Sequence, residues 1–295
     1  MISKLPLLTF LIACLALGLQ IIHPKTATPP HRETAYERVM RTRTLHCGYA
    51  LWPVSEEIDP NTKQLKGVVP DFTEALGQKL GLKIEWTEEV VWGQQAEALA
   101  TGKIDAMCTT DGPYVYTAAT VLDYTEPMAY FPEYIYGREN AAPILNIDTL
   151  NTLDITFSAI EGDISLAMAM DSFPKAHRLE LPGSDDPSLI MVNIVDKKAD
   201  VTITDPLTID HFNRNNKKKL KKLYDQPMGV INMSFSVGKG EGDLLQMLNQ
   251  GFLLLQGLGI SDQILNKYDP EHKLFYRPVQ RWTDQNPSRA ISRAK

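Results

Sequence analysis

The sequence predicts an α/β protein built from two similar halves. Three observations lead there: strand and helix signals alternate over residues 44–109, they alternate again over 154–204, and 295 residues suffice for two modest cores. A short amphipathic helix around 36–41 leads into a strand at 44–50. Pro70 opens a helix running to Gly81, because Phe72, Ala75, Leu76 and Leu80 fall on one face and proline suits a first helical turn. Residues 83–87 alternate as a strand, 94–101 form the next helix with Gly102 as its C-cap, and 104–109 are a strand. In the second half 154–160, 178–181 and 200–204 read as strands, with helices at 164–173 and 186–197 between them. Such repeats imply, in each half, a mainly parallel sheet flanked by helices.

The apolar fraction of 43% and charged fraction of 22% are those of an ordinary globular protein. A net charge of -6 argues against nucleic acid as the partner, since phosphate neutralisation needs a clustered basic face. The lysines at 217–222 read as a solvated surface, with docking to membrane phosphates or a transporter as the alternative. Lys4 followed by the apolar run 5–22 reads as an export signal within residues 1–25. It is cleaved near Ala16-Leu17-Gly18, retained as an anchor, or lipidated at Cys14; all three place the folded part outside the cytoplasmic membrane, in the periplasm. Residues 26–43 then form a linker and lead-in helix, and 271–295, with Arg277, Arg281, Arg289 and Arg293, form a basic extension. Cys47 and Cys108 are an even pair in an oxidising space, yet both fall in predicted core strands, and two buried thiols are the expected state.

A series of short motifs carries a resemblance. Leu65-Lys66-Gly67-Val68-Val69-Pro70-Asp71-Phe72, then Leu76-Gly77, Leu80-Gly81-Leu82, Trp92 and Gly102-Lys103-Ile104-Asp105 come first. Leu122-Asp123-Tyr124-Thr125-Glu126-Pro127, Glu161-Gly162-Asp163, Lys198-Ala199-Asp200 and Gly259-Ile260-Ser261 follow. In this order the stretch 45–268 resembles the amino acid-binding members of the periplasmic solute-binding superfamily, extracellular family 3. The resemblance implies a two-lobed periplasmic-binding-protein type II fold. Lobe 1 would comprise 44–136 plus 230–270 and lobe 2 would comprise 137–229, with chain crossings near 136–140 and 226–232. It further implies a monomer that hands a small-molecule ligand to the membrane permease of an ABC transporter, without catalysis, cofactor or metal. A ligand-sensing module beside a membrane partner, and an enzyme similar to cyclohexadienyl dehydratases, are the alternatives on the same fold.

The resemblance also places candidate ligand contacts. Trp52 follows the first strand where the family sets an aromatic ring on the ligand, and Thr109 and Thr110 end the third strand where it uses small hydroxyl or backbone groups. Asp163 opens a helix where relatives commonly have threonine, and is an N-cap or a ligand contact. Asp205 stands where relatives place the acid that takes the ligand's ammonium, and Asp111 is expected to face the same crevice. One departure stands out. Relatives that bind α-amino acids carry an arginine ahead of the Asp-aromatic-Thr motif to pair with the ligand carboxylate, and here that position is Ala118. No Arg or Lys lies between Lys103 and Arg138; Arg138 and Arg178 are the remaining substitutes. The ligand implied is cationic or hydroxyl-rich, not a standard zwitterionic amino acid.

Other signals carry less. Gly238-Lys239-Gly240-Glu241-Gly242 has the wrong spacing for a dinucleotide fingerprint and reads as a tight turn into a helix. The six histidines lack metal-ligand spacing, and no nucleophile elbow or phosphate loop is present.

Overall fold

The structure, a computed structural model, describes residues 33–113 and 116–278, with side chains in the second stretch from residue 119. The chain divides into two units, Met1–Thr34 and Ala35–Lys295. The expected export segment, most of the linker and the far part of the basic extension lie outside the described residues, and the elements of the fold belong to the second unit.

Helix α1 (Ala35–Thr42) buries Ala35 and Val39, one turn apart. Its Arg38 Nε donates to the buried Asp105 carboxylate at 2.7 Å, and the backbone N–H of His46 donates to the same group at 2.8 Å. Strands β1 (Thr44–Tyr49), β4 (Lys83–Glu89) and β5 (Ala106–Asp111) form a parallel trio in the order β4-β1-β5. A small hairpin, β2 (Glu57–Ile58) with β3 (Leu65–Lys66), precedes helix α2 (Val68–Leu80), and α3 (Gln95–Thr101) joins β4 to β5. Helix α2 starts two residues before Pro70 because Val68, Phe72 and Leu76 make one continuous buried stripe. Gly102 ends α3 in the left-handed region at φ 74°, its N–H donating to the Leu99 carbonyl, as the sequence predicts.

Cys47 on β1 and Cys108 on β5 are joined by a disulfide, which corrects the expectation of two thiols. The two strands are neighbours, and a Cα–Cα distance of 5.4 Å is within disulfide reach. Burial alone does not distinguish a thiol from a half-cystine; strand adjacency decides it.

The second lobe repeats the plan with β8 (Thr156–Ile160), β9 (His177–Leu181) and β10 (Val201–Thr204) in the parallel order β10-β8-β9. Helices α5 (Ile164–Ser172), α6 (Ser188–Val195) and α7 (Pro206–Asn215) flank them, and α4 (Tyr116–Val121) lies earlier, ahead of β6 (Leu122–Tyr124). Helix α6 is shorter than the 186–197 expected: Asp186 accepts the Ser188 N–H in the entering turn, and Lys197 adopts φ 64°, which ends the helix.

Two long strands, β7 (Ala129–Arg138) and β12 (Gly229–Gly238), link the lobes. They pair antiparallel with each other from Ala129↔Met233 to Glu133↔Gly229. Beyond that ladder β7 pairs with β10 from Tyr134, and with the edge strand β11 (Leu220–Lys222), while β12 pairs with β5 and β6 from Ser234. The result is a curled mixed sheet flanked by helices, two-lobed in plan. Helices α8 (Gly242–Gly257) and α9 (Ile260–Tyr268) return to the first lobe, where Leu248 and Leu255 close a core with Leu45, Phe72, Leu76 and Phe235. In the second lobe Phe157 stacks on Phe173, with centroids 5.0 Å apart, on one side of the sheet, and Ile190, Met191 and Ile194 pack in a separate core cluster.

Candidate functional site

Three strands, β5 from the first lobe and the parallel pair β8 and β10 from the second, deliver their carboxyl ends to one cavity of about 490 Å³. This is where open α/β sheets present loops and helix starts to a ligand. From β5 come Thr110 and Asp111; after β8 come Gly162 and Asp163; from the end of β10 come Thr204 and Asp205.

Asp163 and Asp205 are both helix N-caps. Asp163 accepts the Ser165 N–H at 2.7 Å and the Ser165 hydroxyl at the start of α5. Asp205 accepts the Thr208 N–H at 2.9 Å and the Thr208 hydroxyl at 2.6 Å at the start of α7. Burial nevertheless raises the pKa of each, and the Asp205 charge raises that of Asp163 further. Asp111 accepts from the Ser236 hydroxyl at 2.6 Å and from the Gly112 N–H at 2.8 Å, and burial pushes its carboxyl up to about 6.

Glu133, on β7, joins these three in the lining. It is 4% exposed, and no group among the described residues donates a hydrogen bond to its carboxylate. Its pKa is raised well above the usual range by burial first, then by the charges of Asp205 and Asp163. The buried hydroxyls of Thr110, Tyr124 and Thr204 in the same lining also have no hydrogen-bond partner among the described residues. Four acids and three orphan hydroxyls thus share one space, a donor-poor arrangement that would be costly if nothing polar entered it.

Trp52 and Trp92 form a wall of this cavity, edge to face with centroids 5.6 Å apart. The Trp52 indole N–H donates to the Thr208 hydroxyl at 2.9 Å, which ties the loop after β1 to α7. Gly162, at φ 83°, lies flush against the Trp92-Gly93 backbone; a Cβ there would stand 2.5 Å from the Trp92 carbonyl carbon. The two lobes are therefore in direct contact at the rim.

Of the sequence-predicted contacts, Trp52, Thr110, Asp111, Asp163 and Asp205 all line this cavity. Thr109 does not; its hydroxyl donates to the buried Glu56 carboxyl at 2.5 Å. Arg138 donates to the carbonyls of Ile194 and Ala199 and pairs with Asp200, and Arg178 lies beside Glu180; neither lines the cavity. Sequence reasoning missed Glu133, Trp92 and Tyr124 as lining residues. The signal for Glu133 was its standing as the one charged residue in β7 before the terminal Arg138. Among the described residues no three His, Cys, Asp or Glu side chains are grouped to hold a metal ion, and no helix is long and apolar enough to cross a membrane.

Residues 47–271 match the profile of the bacterial extracellular solute-binding proteins, family 3. The chain belongs to this family. Solved structures agree on the fold of this family 3 protein. It is similar to an ancestral amino acid-binding protein, AncCDT-1, a precursor of cyclohexadienyl dehydratase, with TM-score 0.69 and 22% identity over 80% of this chain and 99% of that one. It is similar to a mutant of ArgBP from T. maritima, with TM-score 0.69 and 18% identity over 81% of this chain and 100% of the other. A third likeness is to the substrate binding protein of an amino acid ABC transporter, with TM-score 0.67 and 19% identity over 77% and 100%. At these identities the likeness is one of fold. Among curated proteins none matches this family 3 chain.

Proposed function

We propose that this protein is the solute-capture component of an ABC-type importer, closing two lobes around a small cation that lacks the carboxylate of an α-amino acid. One observation carries the reading: Asp111, Glu133, Asp163 and Asp205 line one cavity, and no Lys, Arg or His among the described residues lines it with them. Carboxyl groups crowded in this way hold protons when no counter-charge is present, and an ammonium supplies that counter-charge. The Trp52 and Trp92 rings add faces that favour a cation. A free amino acid carboxylate would instead meet four acids and no guanidinium.

Capture would involve lobe 1, residues 44–136 plus 230–270, and lobe 2, residues 137–229, and the protein would act as a monomer delivering ligand to a membrane permease. Export directed by residues 5–22, cleaved or retained, would place it in the periplasm, and the Cys47–Cys108 disulfide suits that oxidising compartment.

Thermal-shift and calorimetric titration against simple amines, amino acids and sugars tests the reading. An amine at a hundred times its dissociation constant adds about 2.7 kcal/mol of stability. Micromolar binding of a plain amino acid, with amines silent, overturns it.

Glu133 favours one second reading, because an acid whose pKa is raised by burial first, and by Asp205 and Asp163 after it, suits general acid catalysis. Turnover of a cyclohexadienyl substrate, lost in Glu133→Gln, would establish an enzyme. The four acids in the cavity oppose any carboxylate-bearing substrate.

A further inference from the structure

The acids and unpaired hydroxyls of the cavity fall into two sets, one on the first-lobe sheet and one where the second-lobe helix starts meet Glu133 of the connecting strand β7. Asp111 is held by Ser236 of β12 and its charge acts on Tyr124 of β6, so this set, with Thr110, belongs to the first-lobe sheet. Asp163 and Asp205 cap the helices that follow β8 and β10 in the second lobe, and their charges act on Glu133. Each set contains an acid together with a buried hydroxyl that has no partner among the described residues: Thr110 and Tyr124 in the first, Thr204 in the second. Between them the lining is apolar and aromatic, with Trp52, Trp92, Phe131 and Ile231.

Four acids together would not by themselves mark a binding site. Glu133 does: it is 4% exposed, faces the cavity, and its carboxylate accepts no hydrogen bond from the described residues. Leaving such a group buried and unpaired is costly, and a bound donor removes the cost.

We propose that the cavity takes a two-headed cation, a linear diamine, with one ammonium at Asp111, Thr110 and Tyr124 and the other at Glu133, Asp163 and Asp205. This rests on the reading of the cavity as the capture site for a cation. Each ammonium brings three N–H donors to a set that contains only acceptors and unsatisfied hydroxyls. The methylene chain lies against the apolar middle, and about 490 Å³ leaves room for several methylenes between the heads. A diamine would also bridge the lobes, favouring the closed form because only there are both sets within reach of one molecule.

The test is titration of the purified protein with 1,4-diaminobutane, 1,5-diaminopentane and 1,8-diaminooctane, with hexylamine as the single-headed control. The diamine of best length binds at least tenfold tighter than hexylamine, with an optimum in the length series. Asp111→Asn lowers the affinity for that diamine to the level of the monoamine. Equal affinity for hexylamine and every diamine overturns the proposal while leaving cation capture intact, and needs no variant to be folded. Equal weakening of both ligands by Asp111→Asn, in protein with an unchanged circular dichroism spectrum, also overturns it. Binding of no amine at all removes the parent reading together with this one.

Discussion

The indole nitrogen of Trp52 donates to the Thr208 hydroxyl, and that hydroxyl donates in turn to Asp205, at 2.9 and 2.6 Å. One oxygen therefore connects a first-lobe ring to a second-lobe acid. One turn further along α7, His211 lies 3.6 Å from Glu57 of the first lobe, so α7 adds its own contacts between the lobes to the one at Gly162.

Trp52→Phe keeps a ring beside Trp92 and removes only the donor. A neutral hydrogen bond contributes about 1 kcal/mol, so ligand affinity falls about fivefold, with most of the change in the dissociation rate. Stopped-flow measurement of both rate constants checks this; an unchanged dissociation rate would show that the bond does not hold the lobes together.

Gly162→Ala puts a methyl group where the Trp92 backbone already stands, at a φ that side chains disfavour. Local strain there is about 1–2 kcal/mol, and the larger effect is to keep the lobes apart. Ligand affinity should fall more than tenfold while the melting temperature of the empty protein moves by only a few degrees. An equal loss of both would mean that the residue matters for folding alone.

Stability of the empty protein should depend on pH in a stated direction. Asp111 is raised to about 6, and Asp163, Asp205 and Glu133 are raised as well, so the folded state keeps protons that the unfolded chain releases near pH 4. The contribution of these four acids to stability is therefore greatest below the ordinary carboxylate range and declines as pH rises through about 6. For Asp111 the decline is about 3 kcal/mol by pH 7. Cation binding runs the other way, because it needs ionised acids, so the ligand-induced rise in melting temperature grows with pH. Melting curves from pH 4 to 8, with and without ligand, check both signs, and a flat profile for the empty protein would contradict the first.

The Cys47–Cys108 bond closes a loop of 61 residues, for which the chain-entropy treatment gives about 4 kcal/mol of stabilisation. Cys47→Ala/Cys108→Ala should therefore melt many degrees lower, as should the wild type in strong reductant. Identical melting with and without reductant would show that the bond contributes nothing.

Much of this organisation was legible in the chain. Period placed the strands of both parallel trios, and Asp163 and Asp205 could be found because the family resemblance marks both positions, each at a helix start after a strand. Glu133 could not be found in this way, since an acid inside an apolar strand gives no indication of which cavity it meets. Thr109 and Thr110 are adjacent, and strand alternation sends one to Glu56 and the other to the cavity, a choice that depends on the register with β12. The disulfide depended likewise on which strands lie side by side. Local pattern names the elements; three-dimensional adjacency pairs the residues.

The passages between the lobes are zipped to each other, Ala129 to Glu133 against Gly229 to Met233. Sliding such a laced pair breaks backbone hydrogen bonds, whereas twisting it only tilts them. Any movement of one lobe against the other would thereby be channelled into rotation about this ladder. Glu133 sits on the last rung of that ladder, so the acid that lines the cavity is carried by the same segment that joins the two lobes.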